Sequence, residues 1–411
     1  MDDILFIGHR IPFPPDRGDK IRSHHILKGL ARLAPVHVAT FADDDADMAE
    51  EVELATLARS YRLVRRSKSV ILAGIQALAT GRSVSKTAFW DPELARYVAE
   101  TLAHNTIGTI YVFSGQMGQY VPADFKGRFV ADFVDVDSAK FEAYAAKSRG
   151  ILSAVNARES RVLRNEEALL ARRAAVSLLI TPEEAQLFSS RLTPEESADA
   201  DVKVLGNGID STFFDPLAVV PEPQLAAMSG PKLIFTGQMD YAPNIEAVAR
   251  VAQRILPLVR QSLPEASFHI VGRCPVSIVT DLARLPGCYV WGRVDDIRNW
   301  LKGADLALAP LEIARGVQNK VLEAMAMALP VVVTSAGATG IKAQDRIHFA
   351  VADTDADLAD AVVRLLQNRV EARAMAAQAR RFVVEEQSWK SALAELPHLV
   401  CQTRAGLRNA G

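Results

Sequence analysis

The sequence predicts an α/β protein made of two domains, each built on a parallel sheet. Short apolar runs alternate with helix-like segments along most of the chain, as in successive βαβ units. One series of runs extends from Ile4 to Ile180, and a second begins after Gly230. With 411 residues, the chain is too long for one ordinary domain and long enough for two.

The first half opens with the order strand, loop, helix, strand. An apolar run at 4–7 leads into a loop rich in Gly, Pro and Arg at 8–20, and a helical pattern at 21–33 precedes a strand at 36–41. This order predicts a βαβ unit, which places the two strands in one parallel sheet. Further strands are predicted at 109–113, 129–134 and 177–180.

The second half repeats the alternation. Strands are predicted at 232–235, 267–271, 288–291, 306–309 and 331–334. Helices are predicted at 245–259, 278–284, 297–301 and 320–328. Between the halves, the turn at 207–210 and the proline-bearing stretch at 215–231 are the best candidates for a linker, because Gly, Asn and Pro interrupt regular structure.

Composition and charge indicate a soluble globular protein. Apolar residues make up 49% of the chain and charged residues 23%, and the formal net charge of −2 gives no indication of a nucleic-acid partner. Three cysteines, Cys274, Cys288 and Cys401, show no metal-ligand spacing, which fits a reducing compartment. The acidic start Met1-Asp2-Asp3 is unlike a signal peptide, so a cytoplasmic location is expected.

The loop after the first strand is a candidate anion-binding loop. Gly18 stands where the first helix is expected to begin, and unpaired backbone N–H groups at a helix N-terminus attract anions. Arg17, Lys20 and Arg22 add positive charge. The alternative is an ordinary βα loop with a solvated basic fringe.

A stronger candidate site lies around residue 320. A strand is expected to end at Pro310, a Gly-containing loop follows, and a helix begins near Asn319. A helix N-terminus suits a diphosphate, and Lys320 in its first turn can neutralise that charge. Glu323 lies on nearly the same face and can accept hydrogen bonds from two ribose hydroxyls. In the alternative interpretation, Lys320 and Glu323 form a surface pair on a core helix.

This segment resembles a known family. The block Lys-Val-Leu-Glu-Ala-Met-Ala…Leu-Pro-Val-Val from Lys320 resembles the donor-site motif of retaining GT-B glycosyltransferases of the family 4 type. Segments 206–210, 235–240, 270–272 and 291–294 are similar to further motifs of that family in the same order. A closer resemblance, carried by segments 14–22, 241–244 and 314–320, is to the sugar transferases of the PEP-CTERM/exosortase exopolysaccharide system.

The resemblance implies a GT-B fold with two Rossmann-like domains facing across a cleft. Residues 1–205 would bind the acceptor, residues 206–385 the donor, and residues 386–411, including Trp389, would cross back to the first domain. The implied reaction transfers a sugar from a nucleotide diphosphate-sugar to a sugar or lipid-linked acceptor with retention, in exopolysaccharide biosynthesis. No cofactor, metal or nucleic-acid partner is expected.

The positions of residues at predicted strand and helix ends, the charge balance and the resemblance together give the expected site residues. The catalytic set would be Lys320, Glu323, Asp135 and Asp137. The donor-binding set would be Gly18, Gly237, Gln238, Gly272, Arg273, Arg293, Val294, Arg315, Gly316, Val317, Gln318, Asn319, Lys320 and Glu323.

Two departures from the family pattern change the expected charge of the site. Arg315 stands where many members carry the first Glu of a Glu-x7-Glu motif, and Gln238 and Pro243 stand where an Arg and a Lys are usual. Lys320 is therefore the first choice for the diphosphate charge, with Arg273, Arg293 and Arg315 as substitutes. Donor-sugar specificity cannot be carried over from the family.

Other interpretations stay open for the remaining features. Asp135-Val136-Asp137 resembles a metal-binding DxD motif, but a helix cap or an acceptor contact explains it better. Arg65, Arg66 and Lys68 precede an apolar segment at 70–79, which predicts either peripheral contact with the inner face of a membrane or a packed helix. Rival functions are a weak or inactive nucleotide-sugar-binding protein and a GT-B sugar-nucleotide epimerase.

Overall fold

The computed structural model describes residues 2–313 and 317–401, apart from the side chains of Val70 and Ile71. The described residues form two units. The first unit comprises the residues up to Asn207 and those from Leu393 onwards, and the second unit runs from Gly208 to Ala392. The boundaries between the units therefore lie after residues 207 and 392, slightly beyond the domain boundaries predicted after residues 205 and 385.

The first unit is built on a parallel sheet. Its strands are β1 (Asp3–Gly8), β2 (Val36–Ala42), β3 (Ser60–Arg65), β4 (Ile107–Phe113), β5 (Arg128–Val134), β6 (Val176–Leu179) and β7 (Val202–Val204). They follow the order β3-β2-β1-β4-β5-β6-β7, and every pair is parallel. The strand order reverses direction between β1 and β4, so this unit is doubly wound.

Helices cover both faces of the first sheet. They are α1 (Gly18–Ala31), α2 (Asp45–Ala49), α3 (Glu51–Leu57), α4 (Val70–Thr80), α5 (Val84–Ala88), α6 (Pro92–His104), α7 (Asp137–Lys147), α8 (Gly150–Arg173), α9 (Pro182–Arg191) and α10 (Pro194–Asp199), with a 3-10 turn at Gly115–Tyr120. Alternate residues of β1 belong to different cores, Ile4 and Phe6 to one and Leu5 and Ile7 to the other. A strand buried on both faces produces this continuous apolar run.

The second unit repeats the architecture. Its strands are β8 (Lys232–Thr236), β9 (Ser267–Val271), β10 (Cys288–Gly292), β11 (Leu306–Ala309), β12 (Val331–Val333) and β13 (Ala350–Val351). They pair in parallel in the order β10-β9-β8-β11-β12-β13. The order reverses between β8 and β11, and a doubly wound sheet places ligands at the carboxyl ends of the strands at that point.

The helices of the second unit and the last helix of the first complete the described chain. They are α11 (Pro223–Ala226), α12 (Ala242–Arg250), α13 (Leu256–Ser262), α14 (Ser277–Thr280), α15 (Ile297–Gly303), α16 (Asn319–Ala326), α17 (Asp355–Gln367), α18 (Arg369–Glu386), α19 (Trp389–Ala392) and α20 (Leu396–Val400). A π-helical turn at Val251–Ile255 joins α12 to α13, and a 3-10 turn at Asp281–Arg284 follows α14. The predicted α/β class with two parallel sheets is confirmed.

The C-terminal segment divides between the two units. Trp389 packs in the second unit, where its backbone N–H donates to the carbonyl of Ile209 at 3.1 Å. Gly208 has no side chain because a Cβ there would lie 2.4 Å from the nitrogen of Trp389. Helix α20 belongs to the first unit, where the Thr109 hydroxyl donates to the carbonyl of Val400 at 2.7 Å. The crossing therefore begins after Trp389 and not before it.

The basic residues of the first loop are structural, which corrects the anion-binding interpretation. Lys20 is buried, donates to the carbonyl of Phe13 at 2.9 Å and pairs with Asp47 at 2.5 Å. Arg17, which is half exposed, pairs with Asp19. These contacts occupy the charges that the sequence assigned to an anion, and they also give the acidic stretch around Asp47 a structural role.

Arg22 is the most deeply buried of these cations. Its side chain is 1% exposed, and the guanidinium donates three hydrogen bonds of 3.0, 3.1 and 3.2 Å to Asp132, which is completely buried. The Tyr111 hydroxyl donates to the same carboxylate at 2.8 Å, and Arg22 also donates to Asn207 at 2.9 Å. A buried ion pair is tolerated when additional hydrogen bonds satisfy both partners, as they do here.

We predict that Asp132→Ala destabilises the first unit by about 3–5 kcal/mol, because Arg22 would remain buried without a counter-charge. Scanning calorimetry should show a lower melting temperature for the transition of this unit only. Arg59→Ala is the control, since Arg59 is 57% exposed in its pair with Asp3 and such pairs contribute about 0–1 kcal/mol. Equal effects of the two substitutions would contradict a special role of the buried pair.

Candidate active site

Three strand ends of the second sheet are held together by backbone contacts. The N–H of Gly237 donates to Val271 at 3.1 Å, and the N–H of Gly272 donates to Gly292 at 2.8 Å. A Cβ on Gly272 would lie 1.6 Å from the carbonyl oxygen of Gly237, so a side chain is excluded there. Glycine is required because β8, β9 and β10 end in direct backbone contact.

Helix α16 begins beside these strand ends. It follows the loop after β11, and β11 pairs with β8 at the point where the strand order reverses. Asn319 and Lys320 form its first turn, and Gln318 occupies the capping position without a side-chain cap. The arrangement predicted from the sequence, a helix N-terminus at a ligand-binding edge of the sheet, is therefore present in the fold.

The Lys320 side chain turns towards the end of β8. Its ammonium donates to the Asn244 side-chain oxygen at 2.6 Å and lies 4.9 Å from the centre of the Phe235 ring. Asn244 in turn donates through its amide nitrogen to the carbonyl of Gln238 at 2.9 Å. Burial lowers the pKa of Lys320 to about 8, although the charge of Glu323 opposes that shift.

Glu323 lies one turn further along α16. Burial raises its pKa to about 7, and the charge of Lys320 partly offsets the effect. Within the part of the chain that the structure describes, its carboxylate makes no hydrogen bond or ion pair. The carboxylate is therefore available to accept hydrogen bonds from a ligand. The alternative of a surface ion pair is wrong, because Lys320 is directed to Asn244 and both residues are partly buried.

The other candidate cations stand at the neighbouring strand ends. Arg273 and Arg293 follow β9 and β10, are exposed, and have no side-chain partner among the described residues. Gln238 is exposed after β8, and Val294 is partly buried against the core of the second unit. Several predicted donor-binding residues thus share one edge of one sheet.

Part of the predicted site lies outside the described residues. Arg315 and Gly316, both predicted to bind the donor, belong to that stretch. On its far side Val317 is exposed, and Gln318 and Asn319 lead into α16. Gly340 approaches Val317, since a Cβ on Gly340 would lie 3.0 Å from the Val317 side chain.

The predicted residues of the first unit lie on a different sheet. Gly18 is exposed at the first position of α1, and apart from its chain neighbours and the backbone of its own helix no atom lies within 4 Å of a Cβ placed there. Asp135 and Asp137 follow β5, and burial raises the pKa of both carboxyl groups. Neither Asp caps a helix: Glu167 accepts the N–H of Ser138 at 2.9 Å instead. Among the described residues, no group of three or more His, Cys, Asp or Glu could hold a metal ion.

Two residues of this site were not among the predicted site residues. Asn244 stood only within a family-like segment, and Phe235 only within a family-like segment and a predicted strand. No local pattern identifies them, because Asn244 reaches Lys320 across 76 residues of sequence. Asn244 and Lys320 come into contact because β8 and β11, which precede their helices, pair side by side in the sheet.

Comparison with known families agrees with this geometry. Residues 230–368, which include every strand of the second sheet, match the family model described as Glycosyl transferases group 1. This stretch is a glycosyl transferases group 1 domain. The chain matches none of the curated protein sequences compared with it.

Solved structures extend the likeness to the whole chain. The sucrose-phosphate synthase tll1590 from Thermosynechococcus elongatus is 16% identical with a TM-score of 0.60, covering 97% of this chain and 98% of its own. Anabaena Alr3699/HepE in complex with UDP-glucose is 13% identical with a TM-score of 0.59, covering 97% and 99%. WaaG, a glycosyltransferase involved in lipopolysaccharide biosynthesis, is 16% identical with a TM-score of 0.56, covering 96% and 99%.

These likenesses show a two-domain GT-B fold. The match of residues 230–368 to the group 1 family model confirms the expectation that the chain is a glycosyltransferase. The identities lie below the level at which a substrate could be carried over from any of these proteins.

Proposed function

We propose that the protein transfers a sugar from a nucleotide diphosphate-sugar to a sugar or lipid-linked acceptor. The observation that carries the proposal is that the first two turns of α16 hold a partly buried ammonium, bound to a neutral amide, and a partly buried carboxylate that has no hydrogen-bond partner among the described residues. Lys320 would neutralise the diphosphate, and Glu323 would accept the ribose hydroxyls. UDP-glucose in the HepE structure supports a nucleotide sugar as the donor class.

The finer parts of the proposal rest on the family resemblance. We place the reaction in exopolysaccharide biosynthesis of the PEP-CTERM type and expect retention of the anomeric configuration. The bond from C1 to the diphosphate oxygen breaks, the acceptor oxygen bonds C1 on the same face, and the leaving phosphate takes the acceptor proton. Catalysis is then mainly placement and stabilisation of the leaving group.

We propose that the acceptor binds to the first unit. Asp135 and Asp137 follow β5 at the carboxyl edge of the sheet, where α/β domains bind ligands. Gly18, at the start of α1, has open space around its Cα. These residues remain candidates for contacts with substrate.

Donor use and stereochemistry are tested with nucleotide sugars. Slow hydrolysis of a UDP- or GDP-sugar without acceptor supports an enzyme, and an unchanged nucleotide sugar that nevertheless binds favours the inactive binding protein. Conversion to an epimeric sugar would favour the epimerase. Proton NMR of the product's anomeric coupling distinguishes retention from inversion.

We predict that Glu323→Ala weakens binding of nucleoside diphosphates by roughly 1–3 kcal/mol, because ribose hydroxyls lose a buried acceptor. Binding of pyrophosphate, which has no ribose, should change little. Since the Glu323 pKa is about 7, nucleotide affinity should fall below that pH in the wild type but not in Glu323→Gln. Calorimetric titration measures the nucleotide affinity, the pyrophosphate affinity and the dependence of the nucleotide affinity on pH. Equal loss of nucleotide and pyrophosphate binding would contradict the ribose assignment.

We predict that Lys320→Ala lowers kcat/KM by about 100-fold or more, on the order of 3 kcal/mol, because the leaving diphosphate loses its main cation. Arg273→Ala and Arg293→Ala should cost less. Lys302→Ala, on the exposed side of α15, is the matched control. Steady-state kinetics measure kcat/KM for each variant. If Lys320→Ala turns over normally while Arg273→Ala or Arg293→Ala is inactive, the cation that stabilises the diphosphate lies at the end of β9 or β10 and the Lys320 assignment is wrong.

Helix α4 supports contact with a membrane surface. It buries the small residues Ala73 and Ala77 and leaves Leu72, Ile75 and Leu78 exposed by 48%, 61% and 67%. Helix α4 is therefore packed against the protein only on the face that carries Ala73 and Ala77, and its larger apolar side chains remain exposed. No described helix is both long and apolar enough to cross a membrane.

The charges beside α4 are mostly occupied. Arg65 pairs with Asp45, Arg66 pairs with Asp43, and Lys68 donates to the carbonyl of Thr87 at 3.1 Å. Exposed cations such as Arg82, Lys147 and Arg149 remain in the first unit. We infer that apolar burial supplies most of the proposed attachment and that anionic lipid strengthens it.

We predict that the protein floats with liposomes containing anionic lipid, less at high salt, and that Ile75→Glu together with Leu78→Glu abolishes flotation. Burying these side chains in the bilayer interface is favourable, whereas carboxylates are repelled by anionic lipid. Val52→Glu, at a site 70% exposed, is the control. Flotation that survives the double substitution would contradict a role for α4.

A further inference from the structure

We propose that Asn244 is a positioning residue of the donor site, which fixes the Lys320 ammonium for the diphosphate. This inference deepens the proposed function and rests on it. Three observations carry it: the hydrogen bonds of Asn244, its burial, and the shape of the β8 end around it.

The Asn244 side chain uses both ends of its amide. Its oxygen accepts from Lys320 at 2.6 Å, and its nitrogen donates to the carbonyl of Gln238 at 2.9 Å. The second bond fixes which end of the amide faces the lysine. In a flipped amide, the NH₂ group would face the ammonium, which is also a donor, and the amide oxygen would face the Gln238 carbonyl, which is also an acceptor. The residue therefore holds an acceptor, and not a donor, against the ammonium.

The environment leaves this amide little freedom. Asn244 is 4% exposed, and a Cβ on Gly237 would lie 2.9 Å from its amide nitrogen and 3.4 Å from Cε of Lys320. Gly237 itself adopts a φ of 156°, which a larger residue would rarely adopt. The absence of a side chain at residue 237 thus makes room for both the amide and the lysine.

The contact orients the charge of Lys320. An ammonium has three N–H donors, and Asn244 occupies one of them. The Phe235 ring lies 4.9 Å from the nitrogen and favours the cation on its face. Among the described residues, the charge of Glu323 on the same helix favours the protonated lysine. The two remaining N–H groups are then available for phosphate oxygens.

Loss of Asn244 should change the pH dependence of donor binding. Without its neutral acceptor, the partly buried ammonium loses stabilisation, so the Lys320 pKa should fall below about 8. At low pH the lysine stays protonated in both proteins, and at high pH only the wild type retains a useful charged fraction. A residue that merely supports the loop would lower affinity equally at every pH.

The experiment is a calorimetric titration of UDP and GDP into wild type, Lys320→Ala, Asn244→Ala and Asn244→Asp at pH 6.5 and 8.5. If the Lys320 pKa falls by about one unit, Asn244→Ala should lose about eightfold in affinity at pH 8.5 and less than about twofold at pH 6.5. Asn244→Asp should bind more weakly, but its alkaline decline should move to higher pH, because a carboxylate favours the ammonium. Asn299→Ala, in the same unit, is the control.

The outcomes separate this inference from the proposed function. Wild-type protein that binds neither nucleotide overturns the proposed donor site. Wild-type binding that depends on Lys320, combined with an Asn244→Ala profile parallel to the wild type or unchanged from it, overturns only the positioning role. Circular dichroism at both pH values establishes that each variant is folded when its affinity is measured.

Discussion

The candidate site depends on the close approach of three strand ends. Gly272 lies so near the carbonyl of Gly237 that even a methyl group would overlap it. This approach brings the ends of β8, β9 and β10 into one surface, next to the N-terminus of α16. Because the sheet is parallel and reverses its order between β8 and β11, the loops after these strands meet at one edge. The positions of Asn244, Lys320, Arg273 and Arg293 follow from that geometry.

Burial gives the two central side chains unusual and complementary titration behaviour. The pKa of Glu323 rises to about 7 while that of Lys320 falls to about 8, so near neutral pH the carboxylate is only partly ionised and the ammonium is close to its titration range. A ligand that brings phosphate to the lysine and hydroxyl donors to the carboxylate stabilises both charged forms. The same burial that disfavours these charges in the free protein therefore adds to the preference for a ligand carrying both kinds of group.

The fold could be predicted from the sequence wherever apolar runs were uninterrupted. The strands around Ile4 and Val331 are buried on both faces, and an uninterrupted apolar run predicted each of them. Strand β3 was not predicted, since Arg62 and Arg65 interrupt its apolar residues at the edge of the sheet. Edge strands are half exposed, and their composition carries a weaker signal.

The site could be predicted only where function and local sequence coincide. Lys320 and Glu323 stand at helical spacing beside a strand end, so their neighbourhood was visible in the sequence. Asn244 was not, because its partner is distant in the chain. The opposite error occurred at Lys20 and Arg22, whose charges suggested a ligand but are buried against Asp47 and Asp132. A cluster of cations in a loop does not reveal whether its counter-charge belongs to the ligand or to the protein.

This distinction also explains how the two units differ in their use of charge. In the first unit, the cations at the start of α1 are neutralised by carboxylates of the same unit and hold its elements together. In the second unit, Lys320 contacts a neutral amide, and Arg273 and Arg293 have no described side-chain partner. An anion can therefore approach the second sheet without displacing an internal carboxylate. That difference, rather than the number of basic residues in either loop, favours the second unit as the binding site for a diphosphate.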